Sequence, residues 1–290
     1  MYTVTERIAR IKQPYGGYIR VRDFQKIQLN DKAVLSETMN INAGLIGLSV
    51  EYLTRFMMGS PVEQAFDISI RGAKIAKEDE NAKELLVGIT GLNQESVSAA
   101  CKLVGYDVCY RVGLQRFKPV SEINPDGGTI DSIIVMVNRG LALWNTYGPI
   151  IQDGFSFDGG YTPLISDGDG DFLTKDTLWD FKVIKREPTS KHTLQLLIYY
   201  IMGKHSKNES FSSGEYLGLF NPRKNKVYRY PVKSIPDQTI KTVSYDVIGY
   251  GWSLEEYYLL YKERFGKRLG SRLLENQIGY MKLKVYKDKK

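Results

Sequence analysis

Apolar residues recur at helical spacing through the first half of this chain and at strand-like spacing after about residue 153. Residues 1–30 carry a short helical pattern, a turn at Gly16-Gly17 and a β-like run over residues 18–22. Residues 32–59 read as a helix. Leu45, Ile46, Leu48, Val50, Leu53 and Phe56 share its faces, and Gly59 stops it. Ser60-Pro61-Val62-Glu63 then opens a helix to about residue 77, with Ser60 as N-cap, Pro61 in the first helical position and Glu63 closing a capping box. Residues 93–105 and 130–147 read as further helices, the second ending before Gly148-Pro149. The stretches GFSFDGGYTPLIS and GDGDFL predict short strands around glycine turns, and residues 177–183 predict a third strand. A helix over 190–203, strands over 216–220 and 226–232, and an amphipathic helix over 253–265 follow. Strand, helix and strand in succession predict an α/β fold, a mixed central sheet flanked by helices.

Composition narrows the class. The chain has 290 residues, enough for one large domain or two modest ones, and 42% hydrophobic with 25% charged residues is ordinary for a globular protein. A net charge of +7 favours a polyanionic partner. Part of that excess is the tail from Lys282 to Lys290, which reads equally as a solvated end or as a phosphate-tracking arm. Cys101 and Cys109 fit no zinc pattern and form no disulfide framework, and the opening residues lack a signal peptide's apolar core. A cytoplasmic protein is therefore expected. The longest apolar stretch, residues 194–202, is too short to cross a bilayer, so no membrane partner is expected. His192 and His205 are too few for a zinc site, and His192 reads as a surface or capping residue.

The chemistry concentrates between residues 168 and 199. Asp171 sits at the end of Gly168-Asp-Gly-Asp171, where a strand begins; a simple turn acid is the plain alternative. A calcium loop over Asp167, Asp169 and Asp171 fails, because Phe172 and Leu178 occupy the positions that need Gly and Glu. Asp180 and Lys182 alternate in the apolar strand and share a face, as a catalytic pair or a simple ion pair. Gln195 and Tyr199 are neighbours on a helix that is apolar nearly all round, so Gln195 is either a satisfied core amide or a group that orients the site. Two acids can hold a hard divalent cation, and such a cation can activate water against a phosphodiester.

The ordered set Gly168…Asp171, Asp180-Phe181-Lys182 and Gln195…Tyr199 resembles the RecB-like branch of the PD-(D/E)XK nuclease superfamily. Gly59-Ser-Pro-Val-Glu63 resembles that branch's upstream helix motif, with Glu in place of the commoner His. The resemblance spans about the second half of the chain plus that helix. It implies a PD-(D/E)XK-type core from residues 60–77 and 151–235, a helical N-terminal region over 1–59, a helical insertion over 78–150, and a C-terminal helix with a basic tail over 236–290. It also implies that Asp171 and Asp180 bind Mg²⁺ or Mn²⁺ with the Phe181 carbonyl and Glu63. Lys182 would then orient and help deprotonate the attacking water, while Gln195 and Tyr199 position the site or the strand. The implied activity is metal-dependent hydrolysis of DNA; the alternative is a nuclease-fold protein that binds nucleic acid or assembles without cutting. The sequence leaves RNA open as a substrate and does not give the oligomeric state.

Overall fold

Ten α-helices and eight strands can be followed in a computed structural model, which describes residues 2–253, 255–257 and 259–260. The first half is helical apart from β1 (Tyr2–Thr3) and β2 (Gln25–Gln28). It holds α1 (Val4–Arg10), α2 (Ala43–Met57), α3 (Val62–Ala65), α4 (Asp67–Ala76), α5 (Asp79–Val87), α6 (Gln94–Leu103), α7 (Asp107–Arg111) and α8 (Gly127–Tyr147). Then come β3 (Ile150–Ser156), β4 (Ile165–Asp167), β5 (Asp169–Thr174), β6 (Thr177–Phe181), α9 (Ser190–His205), β7 (Tyr216–Asn221), β8 (Lys226–Pro231) and α10 (Asp237–Thr242).

Six strands form one mixed sheet in the order β2-β8-β7-β6-β5-β3, and β1 pairs separately with β4. Only β6 and β7 run parallel in the six-stranded sheet. A parallel pair needs a crossover, and α9 supplies it. The pleat sorts side chains onto two faces. Leu173, Leu178, Leu217 and Leu219 pack with Leu194, Leu197, Ile198 and Ile201 of α9 in one buried cluster. Phe172, Trp179, Phe181 and Phe220 pack with Leu143 and Trp144 of α8 in another. The fold class is thus α/β, a mixed six-stranded sheet with helices on its faces. A third cluster binds the helical half together, with Val50 and Leu53 of α2, Ala73 of α4, Val97 of α6 and Met136 of α8. Residues from both sides of the expected boundary near residue 78 meet there. No helix of the described residues is long and apolar enough to cross a membrane.

Several sequence expectations need correction. The helix expected over 32–59 begins only at Ala43, capped by Asn42, whose side chain accepts from the Gly44 amide at 2.8 Å. The preceding segment is rich in Asn, Asp, Ser and Thr, which compete for backbone groups. There the Ser36 amide donates to Ser132 Oγ and the Asn40 amide to Thr129 Oγ1, so α8 satisfies donors that a helix would have used. The strand expected over 18–22 lies later, at β2. Ile19 is buried instead, and its carbonyl accepts from Thr193 Oγ1 at 2.7 Å. The helix expected from Ser60 is broken at Phe66 into α3 and α4. No capping box forms there: α3 starts after Pro61 without a side-chain cap, and Ser60 Oγ bonds Asp153 Oδ2. The helix expected over 253–265 lies mostly outside the described residues, and the basic tail wholly so.

Candidate functional site

The β5–β6 hairpin sets the geometry. Phe172 faces Trp179 and Leu173 faces Leu178 across the two strands. The ladder ends at Phe172 and Trp179, and just beyond it Asp171 and Asp180 lie near enough for the Asp171 charge to act on Asp180. The Phe181 amide donates to Asp171 Oδ2 at 2.7 Å, which ties the strand ends together. On the other side of β5, Gly170 leaves room for the Phe155 ring of β3, which a Cβ there would meet at 2.2 Å. Lys182 Nζ donates to Asp180 Oδ1 at 2.9 Å and lies 2.8 Å from Oδ2. The second contact lacks hydrogen-bond geometry, and Asp180 Oδ2 is buried with no hydrogen-bond partner. On α9, Gln195 Nε2 donates to Tyr199 Oη at 2.9 Å, and Tyr199 stacks on Phe157. Burial, with Asp169 and Asp180 near by, raises the Tyr199 phenol well above its ordinary value.

Helix α2 adds an acid and a base. Glu51 and Arg55 are one turn apart, ion-paired, with side chains only 13% and 7% exposed. Burial and the neighbouring Asp171 carboxylate push the Glu51 carboxyl up to about 8 against the pull of Arg55. Burial also raises Asp171, with Lys182 and Arg55 opposing. It pushes Asp180 up to about 7 despite Lys182, with Asp171 adding to the rise. For Lys182 burial favours the neutral amine, but Asp180 and Asp171 outweigh it and the group stays an ammonium. A bidentate pair from Arg111 to Asp169, 3.1 Å on both arms, joins α7 to the start of β5. Burial would raise Asp169, yet Arg111 holds it below the usual carboxylate range.

Asp171, Asp180, Phe181 and Lys182 thus come together, with Gln195 and Tyr199 on the helix that covers their face. Glu63 does not join them. It is exposed on α3 and makes no hydrogen bond or ion pair among the described residues. The acid on the helical half that feels the Asp171 charge is Glu51, and Asp169 acts on Asp171 itself. Sequence reasoning passes over Glu51, Arg55 and Arg111, and weighs Asp169 only in the rejected calcium loop. A mark of the first two is legible: Glu and Arg four apart in an otherwise apolar helix form a polar pair that needs a buried reason. His192 behaves as expected of a capping residue, its Nδ1 accepting from the Thr189 amide at 3.0 Å.

Among the described residues no group of three or more His, Cys, Asp or Glu side chains is arranged to hold a metal ion. Three of the four acids lean on a cation, Glu51 on Arg55, Asp169 on Arg111 and Asp180 on Lys182, while Asp171 accepts from the Phe181 amide. The buried pair Asp171 and Asp180 still suits a hard divalent cation. Its donors are carboxylate oxygens, one of them buried without a hydrogen bond. Mg²⁺ commonly takes one or two carboxylates and keeps several waters. The chain matches no protein-family model, no curated protein and no solved structure.

Proposed function

We propose that this protein is a divalent-cation-dependent nuclease of the PD-(D/E)XK type, acting on DNA at the β5–β6 strand ends. One observation carries the reading: Asp171 and Asp180 are buried near each other at the end of the hairpin, Asp180 Oδ2 lacks a hydrogen bond, and an ammonium stands beside it. Such an arrangement costs stability unless something else completes it. Asp171 and Asp180 would hold Mg²⁺ or Mn²⁺, with the Phe181 carbonyl and Glu51 within the same cluster. A bound cation would supply Lewis acidity and a water of lowered pKa. Lys182 stays protonated beside the two acids, so its role is charge. It offsets the negative charge that builds on a phosphoryl group under attack, and it is a poor base. Gln195 and Tyr199 buttress the face from α9. Burial raises the Glu51 carboxyl against the pull of Arg55, so a cation bound beside it would favour the ionised form and couple metal binding to proton release.

The test is digestion of linear, circular and single-stranded DNA, and of RNA, with Mg²⁺, Mn²⁺ or EDTA. Cleavage that needs the metal and vanishes in Asp180→Asn and Lys182→Ala supports the reading; equal cleavage by both variants sinks it. A second reading has its own observation. The acids are already neutralised by Arg55, Arg111 and Lys182, as they would be in a nuclease-fold module that binds nucleic acid without cutting. Binding that is unchanged by chelator, with no cleavage under any metal, favours that module.

A further inference from the structure

A second cationic feature lies beyond the exit of β6. A cleft of about 410 Å³ is lined by Ala33, Val34, Leu35, Arg139, Lys185, Arg223 and Lys224, with no acidic side chain in its wall. Its floor is built. Arg139 is buried and fully engaged, reaching Asp31 with two nitrogens and the carbonyls of Ala33, Pro222 and Arg223 with its remaining bonds. This fixes the β7–β8 turn against the segment before α2. Asn221 Nδ2 donates to the Ile184 carbonyl at 2.7 Å, which pins Lys185 beside the same turn.

The charges above that floor are poorly compensated. Arg223 is half-buried, and its Nη1 lies against Met39 Sδ at 3.2 Å, where a carboxylate would ordinarily be sought. Burial lowers its pKa, the sign of a guanidinium out of water without an acid beside it. Lys185 is exposed and has no ion-pair partner among the described residues. Lys224 shares the single carboxylate of Glu187 with Lys226. A concave site with surplus cations and no acid in its wall attracts an anion, and Arg and Lys side by side suit phosphate oxygens. Lys185 lies three positions after Lys182, so their Cα atoms are at most about 11 Å apart. That distance spans roughly three nucleotides of a stacked strand.

We propose that this cleft is a phosphate subsite that holds the backbone of a nucleic-acid strand a few nucleotides from the bond presented to Asp180 and Lys182. Its placement relative to the cut rests on the nuclease reading; its binding of the strand does not. Arg223 and Lys185 take phosphate oxygens, and Arg139 keeps the turn in place. A subsite of this kind reads backbone and not sequence.

Fluorescence anisotropy of a labelled single-stranded oligonucleotide, in EDTA so that nothing is cut, tests it on the full-length protein. Arg223→Ala should weaken binding roughly tenfold, and the plot of log affinity against log salt should become shallower by about 0.7 for each phosphate no longer neutralised. Lys185→Glu, on an exposed side chain, should do the same without risk to folding and decides the matter if Arg223→Ala fails to fold. Asp180→Asn should leave this binding intact, which separates failure of the subsite from failure of the nuclease reading. Unchanged affinity and salt slope in Lys185→Glu would overturn the proposal. So would protection of the folded protein by inorganic phosphate that disappears in Lys185→Glu while oligonucleotide affinity stays the same, because the cleft would then serve a free anion.

Discussion

Asp107 and Asp180 are equally buried, each about 1% exposed, yet they live differently. Asp107 joins three helices. It accepts from Tyr52 Oη of α2 at 2.8 Å, from Ser69 Oγ of α4, and from Arg111 Nε of its own α7 at 3.5 Å. Asp180 has one partner, Lys182, and one oxygen with no hydrogen bond. Burial raises both carboxyls; around Asp107, Arg111, Ser69 and Tyr52 all pull back, whereas around Asp180 only Lys182 does and the Asp171 and Asp169 charges push further. Depth alone therefore does not mark a reactive acid. What separates them is satisfaction: one acid is a completed joint of the helical half, the other is an incomplete shell at the sheet's end.

The largest expected effects follow from that contrast. Asp180→Asn should lower metal-dependent cleavage by at least about 100-fold, a size typical of losing one key electrostatic group. Its melting temperature should move less than that of Asp107→Ala. Plasmid digestion beside thermal denaturation checks both. Activity within about tenfold of wild type would erase the distinction.

Asp107→Ala should cost about 3–5 kcal/mol, since it strands the hydroxyl donors of Tyr52 and Ser69 and removes one of the two carboxylates beside Arg111. For a chain of this length that lowers Tm on the order of 10 °C. Urea titration gives the free energy directly. A cost below about 1 kcal/mol would show that the three donors find water or other partners. Smaller again is the pair Glu51→Gln and Glu63→Gln. The first should slow cleavage roughly tenfold or more, because it removes an acid from the Asp171 cluster. The second should change neither rate nor stability, as expected of an exposed side chain without partners. The reverse order would return the upstream acid's role to α3.

These residues also show what is legible in the sequence. Asp171, Asp180 and Lys182 can be read because strand alternation and a short hairpin fix which side chains share a face. Leu178, Trp179 and Phe181 mark that strand as buried. Gln195 and Tyr199 can be read because an apolar helix leaves few places for polar groups. Glu51 is marked by its pairing with Arg55 but cannot be placed from that mark, since it reaches the site only through the packing of α2 among α6 and α8, a long-range fact. Glu63 misleads for the converse reason. Its local pattern is a good capping box, but Asp153 from a distant strand captures Ser60 and tertiary contact overrides it. Arg111 and Asp169, 58 positions apart, belong to the same class of non-local pairs.

The smallest effect tests the charge on Lys182 without any cleavage assay. His192 is neutral in the fold: burial, then the charges of Lys182 and Lys191, push it down to about 4. Its unfolded value is near 6.5. Because the folded value is the lower one, stability is fully present above about pH 6.5 and is lost as pH falls toward 4. The difference is at most about 3 kcal/mol, and screening of a half-buried ring brings it to about 1 kcal/mol between pH 7 and 4.5. Glu51 and Asp180 run the other way, since raised folded values mean stability that is present at low pH and lost as pH rises through about 8 and 7. The wild-type curve is their sum, so only a difference isolates the histidine. His192→Gln keeps an acceptor for the Thr189 amide, Gln being a natural capping-box residue, and removes the titration. Its urea-derived stability should fall by about 1 kcal/mol less than wild type between those pH values. Replacing Lys182 with Met, with the loss again taken as the difference made by His192→Gln, should remove part of it, because the ammonium repels the imidazolium alongside Lys191. If Lys182→Met left the loss whole, the lysine would be neutral or turned away, and the incomplete shell around Asp180 would lack the charge on which its contrast with Asp107 depends.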